Sequence, residues 1–147
     1  MPAKKKKEDN QEEITEEPLE GNGVFIFEDG SRYEGGWVKE GAPPAVKRKG
    51  QGTYVEGPNK YEGSWDNDQM SGEGTFHFAS GAVYQGHWLC NQFDGKGVYT
   101  WPDGSRYEGQ WRCNRMHGEG VYQDLHGTRW HGKFYHGSGP GLNQEIL

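Results

Sequence analysis

Aliphatic side chains are scarce in this sequence, and no apolar run approaches the ~18 residues that cross a bilayer as a helix. Too few aliphatic residues remain to fill a thick two-layer core, so a thin structure held by aromatic stacking is expected. The N-terminus lacks the apolar stretch of a secretory signal. Only two cysteines occur, and no Asn-x-Ser/Thr sequon, which fits a soluble intracellular chain. Cys90 and Cys113 fall at the same phase of successive repeats, roughly 10 Å apart and beyond the ~7 Å limit for a disulfide. Positive charge is also in short supply: the formal net charge is −6, which makes nucleic acid or anionic membrane a poor default partner.

The chemistry of an enzyme is missing in the same way. No glycine-rich loop leads into a helix with a following Lys-Ser/Thr, because Gly-x-Gly recurs as a strand feature. Six histidines are scattered, and even His126, His131 and His136 lack zinc spacing. Carboxylates recur at the repeat period, so an acid–base pair would be accidental. Neither catalysis nor a metal or other cofactor is expected.

What the chain has in excess is glycine and rings. Its 25 glycines are about 17% of the residues, against a usual ~7%, and 20 residues are aromatic. That many aromatics argue against disorder and favour short strands joined by tight turns. Residues 1–20 are the exception: Lys4–Lys7 is followed by seven acidic residues, and the segment has too little apolar surface to offset its ordering entropy. It reads as a disordered tail, whose basic run is a solvating feature, a nuclear signal or a contact for acidic surfaces such as tubulin tails.

From Gly21 the chain repeats. Second strands align as Tyr33-Glu34-Gly35-Gly36-Trp37, Tyr61-Glu62-Gly63-Ser64-Trp65, Tyr84-Gln85-Gly86-His87-Trp88, Tyr107-Glu108-Gly109-Gln110-Trp111 and Trp130-His131-Gly132-Lys133-Phe134, at intervals of 28, 23, 23 and 23 residues. First strands align on Gly-x-Gly-x-aromatic, as in Gly95-x-Gly97-x-Tyr99. A fixed period with the same residue types in phase marks a repeat array. Five units are read, at about 21–49, 50–71, 72–94, 95–117 and 118–136, with a C-terminal tail at 137–147.

Each unit reads as a β-hairpin. In Gly95–His117, Val98–Trp101 and Arg106–Trp111 alternate around Pro102-Asp103-Gly104, where Pro102 presets φ and Gly104 supplies a positive one. Unit two has a tip one residue shorter at Gly57-Pro58-Asn59. Gly41–Lys49, with two prolines and Lys47-Arg48-Lys49, reads as a protruding loop instead of a strand. Leu142, Ile146 and Leu147 either dock over the last hairpin or are left free by the glycines around them.

Alternation places Tyr107, Gly109 and Trp111 on one face and Glu108 and Gln110 on the other. Rings lean over glycines, so five units build an aromatic stripe along a single-layer antiparallel sheet. Part of such a stripe is left for a partner to cover.

The pattern GxGxYxxPDGxxYEGxW at 23-residue spacing resembles the MORN (membrane occupation and recognition nexus) repeat over about residues 21–136. The resemblance implies an elongated all-β array of antiparallel hairpins acting as a non-enzymatic scaffold, sometimes dimeric, often in cilia, flagella or other cytoskeletal assemblies. Its groove positions map onto Tyr33, Trp37, Tyr61, Trp65, Tyr84, Trp88, Tyr107 and Trp111, with Glu34, Glu62 and Glu108 beside them. Gln85 and His131 depart from the acidic position.

Three functions follow as expectations. The first is an adaptor whose groove holds a helix or extended segment of a cytoskeletal, axonemal protein, with central contacts at Tyr84, Trp88, Tyr107 and Trp111 and basic partner residues on the three glutamates. The alternative is a peripheral membrane adaptor using Lys4–Lys7 and Lys47–Lys49 on anionic phospholipid. Homodimerisation through a sheet edge or the uncovered face is compatible with the first.

Overall fold

The structure is a computed structural model and describes residues 18–139 and 141–145. The tail as far as position 17, together with Ile146 and Leu147, lies outside the described residues. Eleven strands follow one another: β1 (Glu20–Ile26), β2 (Arg32–Glu40), β3 (Ala45–Glu56), β4 (Asn59–Asp66), β5 (Gln69–His77), β6 (Val83–Leu89), β7 (Gln92–Thr100), β8 (Arg106–Arg112), β9 (Arg115–Gln123), β10 (Arg129–Phe134) and β11 (Asn143–Gln144). They form one sheet in sequence order, every neighbour antiparallel. The first ten strands are the five expected hairpins, and β11 is an addition.

Two rows of residues cross this sheet at right angles to the strands. One contains a glycine from each of β1 to β10: Gly23, Gly35, Gly52, Gly63, Gly74, Gly86, Gly97, Gly109, Gly120 and Gly132. Two residues along every strand lies an aromatic row, running from Phe25 and Tyr33 through Tyr84 and Tyr99 to Tyr122 and Trp130. Because the spacing is two, both rows share one face.

Two turn types connect the strands, and they fall at opposite ends of the hairpins. Within units the tip is a three-residue loop closed by a glycine with positive φ, as at Gly104 (φ 93°), where Trp101 N donates to Ser105 O. Asp103 Oδ1 accepts from both the N and Oγ of Ser105, which buries that hydroxyl and holds the Asp103 carboxyl below its usual range. Unit two uses the shorter Gly57-Pro58 tip, with Gly57 at φ 54°. From unit two onward the turns between units are two-residue pairs with both φ values positive, Asn67-Asp68, Cys90-Asn91 and Cys113-Asn114, the pattern of type I′, whereas a longer turn at 41–44 joins units one and two. Both cysteines are exposed and free.

The second residue of each type I′ turn also fastens the preceding unit. Asn91 N donates to Met70 O and Asn91 Oδ1 accepts from Met70 N, and Asn114 does the same to Phe93. Asp68 makes the equivalent pair with Arg48.

One expectation is corrected here. Gly41–Lys49 is not a protruding loop beyond its turn: Ala45–Lys49 opens β3 and pairs with β2 through Glu40↔Ala45, Lys39↔Val46, Val38↔Lys47 and Trp37↔Arg48. Both prolines sit in the turn itself, so no ladder N–H is lost, and the alternating Val-Lys-Arg run continues the strand. At the other end, β11 pairs with β10 and Leu142 packs against the core, so the C-terminal segment docks as far as Glu145, which pairs with Arg129 at 3.0 Å.

Candidate partner groove

Tyr33, Tyr61, Tyr84 and Tyr107 are fully buried, each ring lying over the glycine of the following strand. A Cβ on Gly52, Gly74, Gly97 or Gly120 would overlap the Oη, Cζ and Cε2 edge of these rings, so the glycine row is the slot that lets the tyrosines sink into a single-layer sheet. Their hydroxyls are satisfied locally. Tyr84 Oη donates to His87 O at 2.7 Å, and Tyr33, Tyr61 and Tyr107 bond the carbonyl three residues on in the same way. That carbonyl belongs to the residue before each tryptophan, where the ladder to the next strand shifts register, so the phenol occupies a backbone group the bulge exposes. Burial pushes the Tyr33 and Tyr107 phenols up to about 12, and raises Tyr61 and Tyr84 as well.

The tryptophans interleave with the tyrosines. Trp88 meets Tyr84 of its own unit at 5.2 Å and Tyr61 of the preceding one at 5.3 Å, both edge-on. Trp65 and Trp111 repeat the arrangement, and the indole N–H of each of the three donates to a glycine carbonyl on the neighbouring strand. Trp37 is half-buried and the others buried. Seven of the eight rings read from the sequence as groove positions are thus brought together in one buried cluster, as the floor and with almost no surface of their own, while Trp37 stands outside it.

What faces outward above that floor is a second tier. Met70, Phe76, Phe78, Phe93, Tyr99, Trp101 and Met116 are each half-buried and packed on the core. They line two adjoining depressions over units three and four, with Asn91 and Asn114 at the rim. Phe93 stacks on Tyr84 at 3.9 Å and stands beside Trp111 at 5.4 Å, linking the tiers. Met70, Phe93 and Met116 sit directly across from the tryptophans, and the signal for this position in the sequence is its 23-residue recurrence.

Unit one places Arg48 at that position instead, opposite Trp37. Its guanidinium lies 4.3 Å from the Trp65 ring centre, with Tyr54 and Tyr33 at 5.4 and 5.8 Å, and is held by Asp68 at 2.8 Å. The apolar groove therefore ends at a cation caged by rings. Arg48→Ala should cost about 2 kcal/mol in urea denaturation, because the cage loses its cation and Asp68 its partner. Arg48→Met, matching Met70 and Met116, should recover most of that loss.

Glu34, Glu62 and Glu108 are not brought to the groove. They are exposed on the opposite face, each beside a basic residue two positions earlier: Arg32 at 3.1 Å, Lys60 at 2.6 Å and Arg106 at 3.3 Å. Lys60 holds the Glu62 carboxyl below its usual range, first by hydrogen bonding and then by charge. Strand alternation alone separates these carboxylates from the rings.

This succession of Gly-x-Gly-x-aromatic and Tyr-x-Gly-x-Trp strands agrees with a family model. The model of the MORN repeat matches residues 19–32, 61–83, 84–106 and 107–124, together more than half of the chain. The chain belongs to the MORN repeat family. Residues 33–60, which the match leaves out, hold the lengthened β2–β3 hairpin and the short Gly57-Pro58 tip. MORN repeats are non-catalytic modules that commonly mediate protein or membrane interactions. No curated protein matches the chain.

Proposed function

We propose that this MORN protein is a non-enzymatic adaptor that holds a segment of a larger cytoskeletal protein, in the axoneme of cilia or flagella, along the groove over units three and four. The observation that carries the reading is the uninterrupted second tier from Met70 to Met116: a row of large apolar side chains, half-exposed, on a rigid floor. Exposed apolar rows of this kind are interface anchors. The rim asparagines have their carbonyl oxygens engaged by Met70 N and Phe93 N, which leaves their amide N–H groups for a partner's backbone. Within the family, Met70–His136 resembles the small MORN repeat-containing protein 2, and that likeness is part of the proposal.

The anionic-phospholipid alternative is less supported by the described residues. Lys47 faces Glu40 and Asn67, and Arg48 is held by Asp68 and four rings, so the basic cluster is largely committed within the fold.

The test changes side chains that reach the surface and leaves the floor intact. Phe78→Ala with Trp101→Ala should lose at least tenfold in retention of an axonemal partner identified by affinity purification from ciliated cells. Glu108→Gln, on the opposite face, should change nothing. Full retention by a double variant whose circular dichroism is that of the parent would remove the groove reading. Binding of the parent to phosphoinositide vesicles at physiological salt would favour the lipid alternative.

A further inference from the structure

The two depressions over units three and four are one pocket built twice. Met70, Phe76, Phe78 and Asn91 stand around Trp88 in the first. Their counterparts 23 residues on, Phe93, Tyr99, Trp101 and Asn114, stand around Trp111 in the second. Phe93 and Tyr99, with ring centres 6.0 Å apart, line both pockets and form the ridge between them. The series stops on either side. In unit two Arg48 takes the place of Met70 and lays its guanidinium over Trp65, closing the equivalent pocket. In the row of Phe78 and Trp101, two residues beyond the aromatic row, the neighbours are Glu56 in unit two and Asp124 in unit five.

Equivalent points on successive units are two strands apart, so the pockets call for anchors about 9.6 Å apart, set across the strands. A β-strand presents same-face side chains about 6.7 or 13.4 Å apart and misses this spacing. A polyproline II helix presents one every third residue, about 9.3 Å apart. An α-helix comes near it only at i and i+7, about 10.5 Å, and then puts its i+3 and i+4 side chains onto the Phe93–Tyr99 ridge.

Hydrogen bonding separates the last two. Each pocket has one amide at its rim whose oxygen is engaged, by Met70 N at Asn91 and by Phe93 N at Asn114, and whose N–H groups face outward. The indole N–H groups of Trp65, Trp88 and Trp111 donate to glycine carbonyls, whereas that of Trp101 has no partner among the described residues. An α-helix spends its carbonyls on its own N–H groups. A polyproline II helix has no internal hydrogen bonds, so its carbonyls need donors, and here donors recur once per unit.

Taking the groove proposed above as its site, we infer that the segment held there is a polyproline II helix of the pattern Lys/Arg-x-x-Pro-x-x-Pro-x-x-Lys/Arg. One proline enters each pocket, and aromatic-lined grooves suit this preformed conformation. The basic ends follow from charge. Glu56 and Asp124 lie one unit beyond Phe78 and Trp101, which is one further turn of the ligand at each end. Neither carboxylate is paired with a lysine or arginine among the described residues: Glu56 accepts from Tyr54 Oη and Asp124 from Trp130 Nε1, each at 3.3 Å. Arg48, stacked on Trp65 and held by Asp68 at 2.8 Å, is the fold's own instance of a cation accepted on this face.

Fluorescence anisotropy of the end-capped, labelled peptide Lys-Ala-Ala-Pro-Ala-Ala-Pro-Ala-Ala-Lys against the purified full chain tests this. Binding should saturate below about 1 mM. Alanine in place of either proline, or one alanine inserted between the two, should weaken it about tenfold. Phe78→Ala with Trp101→Ala should weaken it at least as much. Glu56→Gln with Asp124→Asn should cost about fivefold and flatten the salt dependence. Asn at position 124 keeps the oxygen that accepts from His126 N and Thr128 N, and circular dichroism checks that each variant keeps its sheet. No saturation up to about 1 mM, indifference to the proline spacing, or tighter binding of a helical peptide with leucines at i and i+7 would each overturn the inference. The groove itself fails on a different result, a captured axonemal partner that ignores Phe78→Ala with Trp101→Ala, so the site and the class of its occupant stand or fall separately.

Discussion

Gly97→Ala should lower the unfolding free energy by about 3–5 kcal/mol, enough to leave a typical domain largely unfolded on mild warming. The added methyl would meet the Tyr84 ring across its whole polar edge, at Oη, Cζ and Cε2. Neither group can yield cheaply. Gly97 is fixed by ladders to Gly86 on one side and Gly109 on the other. Tyr84 is enclosed by Trp88 at 5.2 Å, Phe93 at 3.9 Å and Trp111 at 5.5 Å. To admit the methyl, the ring must swing out, lose its bond to His87 O and leave a hole where three aromatic side chains meet. The loss thus resembles deleting a core aromatic side chain more than adding one carbon. Because each unit touches only its neighbours, the damage lies at the junction of units three and four and divides the array.

Gly104→Ala is the matched control. Its φ of 93° disfavours alanine, but nothing stands within 4 Å of the new Cβ. The cost should be the backbone strain alone, about 1–2 kcal/mol. Urea denaturation of both variants separates ring-on-glycine packing from turn conformation. Equal, small losses would show that the tyrosines do not need the glycine slot.

The same physics decides what could be read from the sequence. Alternation in Arg106–Trp111 and the Pro102-Asp103-Gly104 turn report local backbone preferences, and the hairpins follow from them at the expected places. The aromatic stripe was equally visible, but its depth was not. A strand pattern shows which side a ring takes; only the opposition of Gly86 to Gly97, set by pairing between strands, shows that Tyr84 sinks to 0% exposure. The surface of the groove is consequently the second tier, and its markers Met70, Phe93 and Met116 recur every 23 residues but lie beside the turns, outside the Gly-x-Gly and Tyr-x-Gly-x-Trp motifs. Gly41–Lys49 misled for a related reason. Its prolines argue for a loop locally, whereas the ladder from β2 holds Ala45–Lys49 as strand. Arg48 at an apolar position makes sense only once Trp65, Tyr54 and Asp68 are seen around it.

Alkaline pH should unfold the protein more abruptly than the titration of exposed phenols would allow. Four tyrosines form the most deeply buried part of the core, and burial raises each above the ordinary value of 10.0, to about 12 for Tyr33 and Tyr107. The sign follows from proton counting. Between pH 10 and about 12 the unfolded chain has lost these protons while the folded chain keeps them, so unfolding releases protons and stability falls as pH rises. Below pH 10 both states hold the protons and the contribution is fully present. Each tyrosine contributes a slope of up to ~1.4 kcal/mol per pH unit, so four acting together would remove most of a ~5–15 kcal/mol stability within one to two units. The local bonds add to the effect, since an ionised phenol can no longer donate to the bulge carbonyl that Tyr33, Tyr61, Tyr84 and Tyr107 each occupy. Phenolate absorbance and far-ultraviolet circular dichroism, followed together from pH 9 to 13, should show part of the tyrosines ionising only as the sheet is lost. Smooth ionisation of all eight tyrosines near pH 10 with the sheet intact would mean that water reaches the floor of the groove, and that the rings are not closed over the glycine row.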